Sequence, residues 1–405
     1  MVPRMRTPAW TLCIVGLLGC GDAAPRPSTY NAEDVPGHHA RRTGGTFGEA
    51  TQATTLLGLF TVPVRINGQA GPPMLVDTGA PLTFVAPSAW RNVPRGPLTV
   101  ASLEVGSAAL FEVPVVGGDP FSLAPTIGGV LGVNLICQFS ATWDWQRKRF
   151  TLGDPPTDVE TEGAAITFSF RLRGGGVLPT EGGNVPVPAT RLLVDAEIDG
   201  APRRLILDTG ASTTALRDDL VESLSAGRRS VSLRVVTQAG VVTQRIVRTR
   251  SLAALGLTHA GATVVGYDRA GLAALGAEVG VGVDGLLGAD VLQGHLLTID
   301  YPAGRIALRR YRDASHVRDR WVRAGVVLSR VGGAWVVGDV LEGTDAARQA
   351  VPVGAAVRAV DGRSLDALAL DEVDALLQGR AGESHVLHTD RGDFTVRVED
   401  VIPLQ

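Results

Sequence analysis

The chain has 405 residues, of which 45% are hydrophobic, and a formal net charge of −3. That length allows two or three domains of ~100–200 residues each, and the small net charge gives no case for nucleic acid or an anionic membrane surface. The three cysteines, Cys13, Cys20 and Cys137, are too few for a disulfide framework, and no Cys/His cluster has metal-ligand spacing, so neither a metal nor a cofactor is expected.

Taken in chain order, residues 1–19 read as an export signal. Arg4 and Arg6 form a basic start, and the apolar run from Trp10 to Leu18 is too short to span a bilayer. Its end, Leu17-Leu18-Gly19-Cys20, resembles the bacterial lipobox, which implies cleavage before Cys20 and lipidation of its thiol. The expectation is a lipid-anchored protein of the bacterial envelope, with the outer membrane favoured because Gly21, not Asp, follows the cysteine. Residues 20–52 are rich in Pro, Gly, Ala and charge and read as a flexible tether; His38 and His39 within it read as solvated. Residues 53–153 and 189–312 are turn-bounded apolar runs that predict two β-rich lobes. Residues 154–188 read as a linker containing one strand over 165–172, and residues 313–405 as a separate α+β module. Cys137, in Leu135-Ile136-Cys137, reads as a buried thiol.

The two lobes repeat each other. Met74-Leu75-Val76-Asp77-Thr78-Gly79-Ala80 matches Leu205-Ile206-Leu207-Asp208-Thr209-Gly210-Ala211. Each is a buried strand that delivers a carboxylate into a glycine turn. A strand closing on Asn67-Gly68 or Asp199-Gly200 precedes each copy, which reads as a hairpin. Downstream, Gly129-Val130-Leu131-Gly132-Val133-Asn134 answers to Gly285-Leu286-Leu287-Gly288-Ala289-Asp290. Ala141-Thr142-Trp143-Asp144 answers to Leu297-Thr298-Ile299-Asp300. Asp144 and Asp300 follow apolar strands and precede turns, so they read as structural. Four landmarks in the same order indicate an internal duplication.

A carboxylate at the end of an apolar strand is costly unless it is used or paired. Two such groups meeting at a pseudo-twofold axis would share a proton: one takes a proton from water while the other donates to a carbonyl oxygen. These motifs resemble the retropepsin-like aspartic protease family over residues 53–312, with both halves in one chain. The resemblance implies a mainly β fold of two acid-protease lobes and an aspartic endopeptidase acting on an extended polypeptide. It implies Asp77 and Asp208 as the catalytic pair, and Thr78, Gly79, Thr209 and Gly210 as support, with the two threonines cross-linking the turns. The second copy continues Ser212; the first departs at Pro81, which removes a hydroxyl and an amide donor. Residues 231–247 are the expected substrate-covering flap, and residues 100–116 a reduced counterpart. The competing reading is a peptide-binding or scaffolding envelope lipoprotein with an inactive protease fold.

Residues 313–405 resemble a PDZ domain of the bacterial protease-associated type. The resemblance rests on Gly325-Val326-Val327-Leu328, the short helix from Gly343, the strand and turn from Val353 to Gly362, and a helix near Leu370 to Leu377. It implies that Gly325, Val326, Val327 and Leu328 lie beside a groove taking a peptide tail.

Overall fold

The structure, a computed structural model, describes residues 40–118, 127–180, 183–237 and 240–404. The export signal, Cys13, Cys20 and the His38-His39 pair lie outside the described residues. The fold is mainly β. Two large sheets have matching centres. In the first, Met74–Val76 lies parallel to Gly129–Leu131, with Gly129 beside Met74 and Leu131 beside Val76. In the second, the end of Ala201–Leu207 lies parallel to Gly285–Leu287, with Leu205 beside Gly285 and Leu207 beside Leu287. Met74, Leu75, Val76, Leu205, Ile206 and Leu207 are all buried. A strand covered on both faces reads as an unbroken apolar run, which is why each Asp emerges from three consecutive hydrophobic residues.

A six-stranded sheet joins the halves. Its central pair is Ser140–Asp144 against His295–Asp300, antiparallel, with Thr142 opposite Thr298 and their hydroxyls 3.0 Å apart. These are corresponding residues of the repeat, so the pseudo-twofold axis passes between them. Trp143, Phe150, Leu297 and Ile299 are buried here in one hydrophobic core that draws on both halves. Asp144 and Asp300 hold turns: Asp144 accepts from Arg149, Tyr311 and the Arg147 amide, and Asp300 from the Ala303 amide.

Three sequence expectations need correction. Residues 42–52 are not tether: Arg42–Gly45 pairs with Ala108–Gly117, and Ala50–Gln52 pairs with Arg149–Leu152. Backbone hydrogen bonds to an open edge need no side-chain periodicity, so these strands left little trace in the sequence. The linker is more built than expected, with the strand Thr161–Ser169 against Arg305–Tyr311 and a hairpin of Gly176–Thr180 with Gly183–Val187. Residues 100–116 form no reduced flap. Gly96–Val105 and Ala108–Gly117 are ten-residue strands built into the first sheet, pairing with Val64–Ile66 and Phe84–Val85. Residues 231–247 do form a long hairpin, Ser230–Thr237 with Gly240–Arg248, whose second strand pairs with Thr263–Tyr267 at the edge of the second sheet. Cys137 is half-buried, and burial pushes its thiol up to about 12.

The C-terminal residues have their own core around Val326, Leu328, Trp335, Val360 and Leu387. They also dock on both halves. Trp321, Val327, Val401 and Ile402 join the core of the second sheet. Arg248 of the long hairpin reaches Asp319 at 2.5 Å, Asp400 at 3.2 Å and the Ile402 carbonyl at 2.9 Å. Asp371, in the helix Leu370–Leu376, accepts from the Leu57 amide of the first half.

Candidate active site

The two Asp-Thr-Gly turns meet face to face at the axis. Thr78 Oγ1 donates to the Leu207 carbonyl at 2.9 Å, and Thr209 Oγ1 donates to the Val76 carbonyl at 3.1 Å. Each hydroxyl also accepts from the other threonine's amide, at 2.9 and 3.1 Å. The crossed arrangement brings each glycine against the opposite carboxyl. A Cβ on Gly79 would lie 2.5 Å from the Asp208 carboxyl carbon, and one on Gly210 would lie 2.3 Å from that of Asp77. Glycine is required at both positions because a methyl group would push the carboxyls out.

Asp77 and Asp208 are both buried. Asp77 Oδ1 accepts from the amides of Gly79 at 2.6 Å and Ala80 at 3.2 Å. Asp208 Oδ1 accepts from the Gly210 amide at 2.9 Å, while its Oδ2 has no hydrogen-bond partner among the described residues. Burial raises both carboxyls above the ordinary value; beyond that, the neighbouring Asp208 draws Asp77 down, whereas the Asp77 charge pushes Asp208 further up. Asp77 is held back by Asp208, by its two amides and by Arg191; Asp208 is pushed well up by burial and then by Asp77. The pair therefore titrates as a unit that shares one proton, with Asp208 the more strongly raised of the two.

The sequence reading missed Arg191. Its side chain is buried, and its Nη1 donates to the Gly79 carbonyl, so the second half grips the first half's turn. Its Nε and Nη2 meet Glu278 Oε1 and Oε2 at 2.8 and 3.0 Å, a two-pronged pair from the helix Arg269–Val279. Burial works against the guanidinium, but Glu278 and the two aspartates hold it charged. The repeat offered no signal for it: at the same distance ahead of Asp77 the first half has Phe60.

A second feature, formed within each half, was missed although it repeats. Thr83 Oγ1 donates to Asn134 Oδ1 at 2.9 Å and accepts from the Gly132 amide at 3.1 Å. Thr214 Oγ1 does the same with Asp290 Oδ1 at 2.9 Å and the Gly288 amide at 3.1 Å. Both threonines lie six residues after their Asp, and that common spacing was the available signal. Pro81 leaves no gap in this scheme: the hydroxyl of Ser212, its counterpart, has no partner among the described residues. Among the described residues no His/Cys/Asp/Glu group could hold a metal ion.

Gly325, Val326, Val327 and Leu328 lie far from this centre in the chain and are all buried. The Val326 carbonyl accepts from Arg323 Nη2 at 3.1 Å, and Arg323 is paired with Asp374 of the adjacent helix at 2.9 Å.

Residues 194–291 match a family model described as aspartyl protease. That segment contains the Asp208 turn, the long hairpin and Asp290. No curated protein matches the chain. Among solved structures, the aspartic proteinase from Irpex lacteus is similar at 13% identity with a TM-score of 0.43, over 69% of this chain and 100% of that one.

Proposed function

We propose that the chain is a single-chain, retropepsin-like aspartic endopeptidase. The observation that carries this is the buried Asp77–Asp208 pair, in which each carboxyl abuts the other turn's glycine. In the reaction, Asp77 takes a proton from the attacking water and Asp208 gives its proton to the substrate carbonyl oxygen. The resulting tetrahedral gem-diol collapses when one of its hydroxyls returns a proton to Asp208 and Asp77 passes its proton to the leaving nitrogen, which restores the dyad. The amides of Gly79, Ala80 and Gly210 hold the carboxyls in place without ionising, so the site needs no charge rearrangement to receive substrate. The long hairpin Ser230–Thr237 with Gly240–Arg248 covers the second half's side of the cleft.

The C-terminal residues serve as a PDZ-like module for a substrate or partner peptide, supported by the strand Val326–Val331 lying beside the helix Leu370–Leu376. The Arg323 guanidinium on the Val326 carbonyl must swing away before a peptide can pair there. The lipobox-like Leu17-Leu18-Gly19-Cys20 supports tethering of the whole to an envelope membrane.

The test is incubation of the purified chain with an unfolded protein from acid to neutral pH, alongside Asp77→Asn and Asp208→Asn. Cleavage with a bell-shaped pH profile, abolished in both variants, is the expected result. A folded wild-type chain that cuts nothing at any pH would favour the peptide-binding scaffold instead.

A further inference from the structure

The apolar ground beside the two aspartates is the same in both halves but is covered by different elements. In the first half Phe84 lies next to Val116 in a parallel pair and next to Val130 in an antiparallel pair. In the second half Ala215 lies next to Val265 and Leu286 in the same two ways. The register makes these triplets equivalent. The second triplet is covered by the long hairpin, through Val231, Leu233 and Ile246, and by the helix Arg269–Val279. Among the described residues the first half has no such hairpin, since only residues 86–95 connect Phe84–Val85 to Gly96–Val105. Its triplet is buried instead by Leu178 and Val187, on the hairpin that joins the two halves.

We infer that this interlobe hairpin, Gly176–Thr180 with Gly183–Val187, is the cover of the cleft on the Asp77 side and selects the apolar substrate side chain bound there. The inference rests on the endopeptidase reading above. Ala80 and Leu82 of the catalytic turn belong to the same cluster as Leu178 and Val187, and the Ala80 amide bonds Asp77 at 3.2 Å. The hairpin is also rooted at the dyad. Its base is the reciprocal pairing of Arg173 with Arg191, both bonds 2.9 Å, and Arg191 is the residue that grips the Gly79 carbonyl. Alternation puts Leu178, Val185 and Val187 on the inner face, while Val177 on the outer face is 48% exposed. Among the described residues the two strands pair with each other as a two-stranded sheet. On this assignment a branched or aromatic side chain next to the scissile bond packs against the apolar cluster of Ala80, Leu82, Leu178 and Val187.

The experiment uses oxidised insulin B chain as substrate and compares wild type with Leu178→Ala and Val187→Ala. Truncation opens space in this apolar cluster, so the expected result is a rise in KM of about tenfold, little change in kcat, and a shift of cleavage sites toward larger side chains. A site pattern and KM that stay within about twofold of wild type would overturn the inference while leaving the endopeptidase reading intact. A second measurement is hydrogen exchange on Asp208→Asn with and without the B chain. The amides of 176–180 and 183–187 should gain protection on binding, and no gain would overturn the inference. Protection without any cleavage by wild type would keep the hairpin as a peptide-binding element and sink hydrolysis.

Discussion

Thr78 and Thr209 are bonded crosswise, each hydroxyl donating to the carbonyl that precedes the other's aspartate. Each also satisfies the other's amide, so four buried backbone groups depend on two hydroxyls. Thr209→Val keeps the shape but leaves the Thr78 amide and the Val76 carbonyl without partners. The expected loss is ~2–6 kcal/mol in denaturant unfolding, from two buried groups at ~1–3 kcal/mol each. Thr78→Val should behave alike. The double variant should lose less than the sum, because the same interface is broken only once. Additive losses would mean that the two turns do not act as one unit.

Arg191 and Glu278 form a buried pair whose side chains are 1% and 13% exposed. Arg191→Met strands the Glu278 carboxylate and should cost ~3–5 kcal/mol, the usual result of removing one partner of a buried pair. Arg191→Met with Glu278→Leu removes both charges and should recover most of that stability. Activity should stay low in the double variant, because the Gly79 carbonyl has lost its clamp. Arg191 also holds Asp77 and Asp208 down, so any remaining activity should have its acid limb displaced toward higher pH. Recovery of both stability and rate would limit Arg191 to a packing role.

Asp208 predicts a pH-dependent stability of definite sign. Burial and the Asp77 charge hold its folded carboxyl well above the ordinary value of 3.8. The folded chain therefore binds this proton more tightly than the unfolded chain does. That contribution is complete below the ordinary value and is lost as pH rises through the raised one. Asp208→Asn cannot ionise and escapes the loss. Its Tm should match wild type in strong acid and exceed it near neutrality, by ~2–4 °C for each kcal/mol relieved. A variant that is inactive and also less stable at neutral pH would contradict the assignment of the proton.

The duplication made the dyad and its glycines legible, because Asp77 and Asp208 end matching apolar runs and sit in matching turns. The equivalent threonines Thr83 and Thr214 were legible in principle from the same spacing. Arg191 was not, since the first half has Phe60 at the same distance and a residue without a repeat partner leaves no symmetric trace. The interlobe hairpin was hidden for another reason. Its strands contain Pro179, Pro186 and glycines, which read as a linker, and only its packing on Phe84, Val116 and Val130 makes it an element. Edge strands such as Arg42–Gly45 are held by backbone bonds, to which hydrophobic periodicity is blind.

The remaining asymmetry lies behind the turns, where Asn134 in one half occupies the position that Asp290 has in the other. Both use one oxygen to accept from a threonine hydroxyl at 2.9 Å, and Asp290 accepts from the Thr214 amide as well, at 3.0 Å. An amide does this job without charge. Burial pushes Asp290 up to about 6, against the pull of Thr214 and Arg320. The stability it contributes is therefore present at acid pH and fades as pH rises through about 6. Asp290→Asn can keep the Thr214 bonds through its own Oδ1, as Asn134 does with Thr83. It should equal wild type near the ordinary carboxyl range and be more stable above it by ~1–2 kcal/mol, discounted because the side chain keeps part of its surface in solvent. The converse change, Asn134→Asp, should destabilise at neutral pH and do nothing in acid. Urea unfolding at several pH values measures both. If Asp290→Asn were instead weaker at neutral pH, the ionised carboxylate would be paired, with Arg320 as the cation, and the asymmetry would be an ion-pair site.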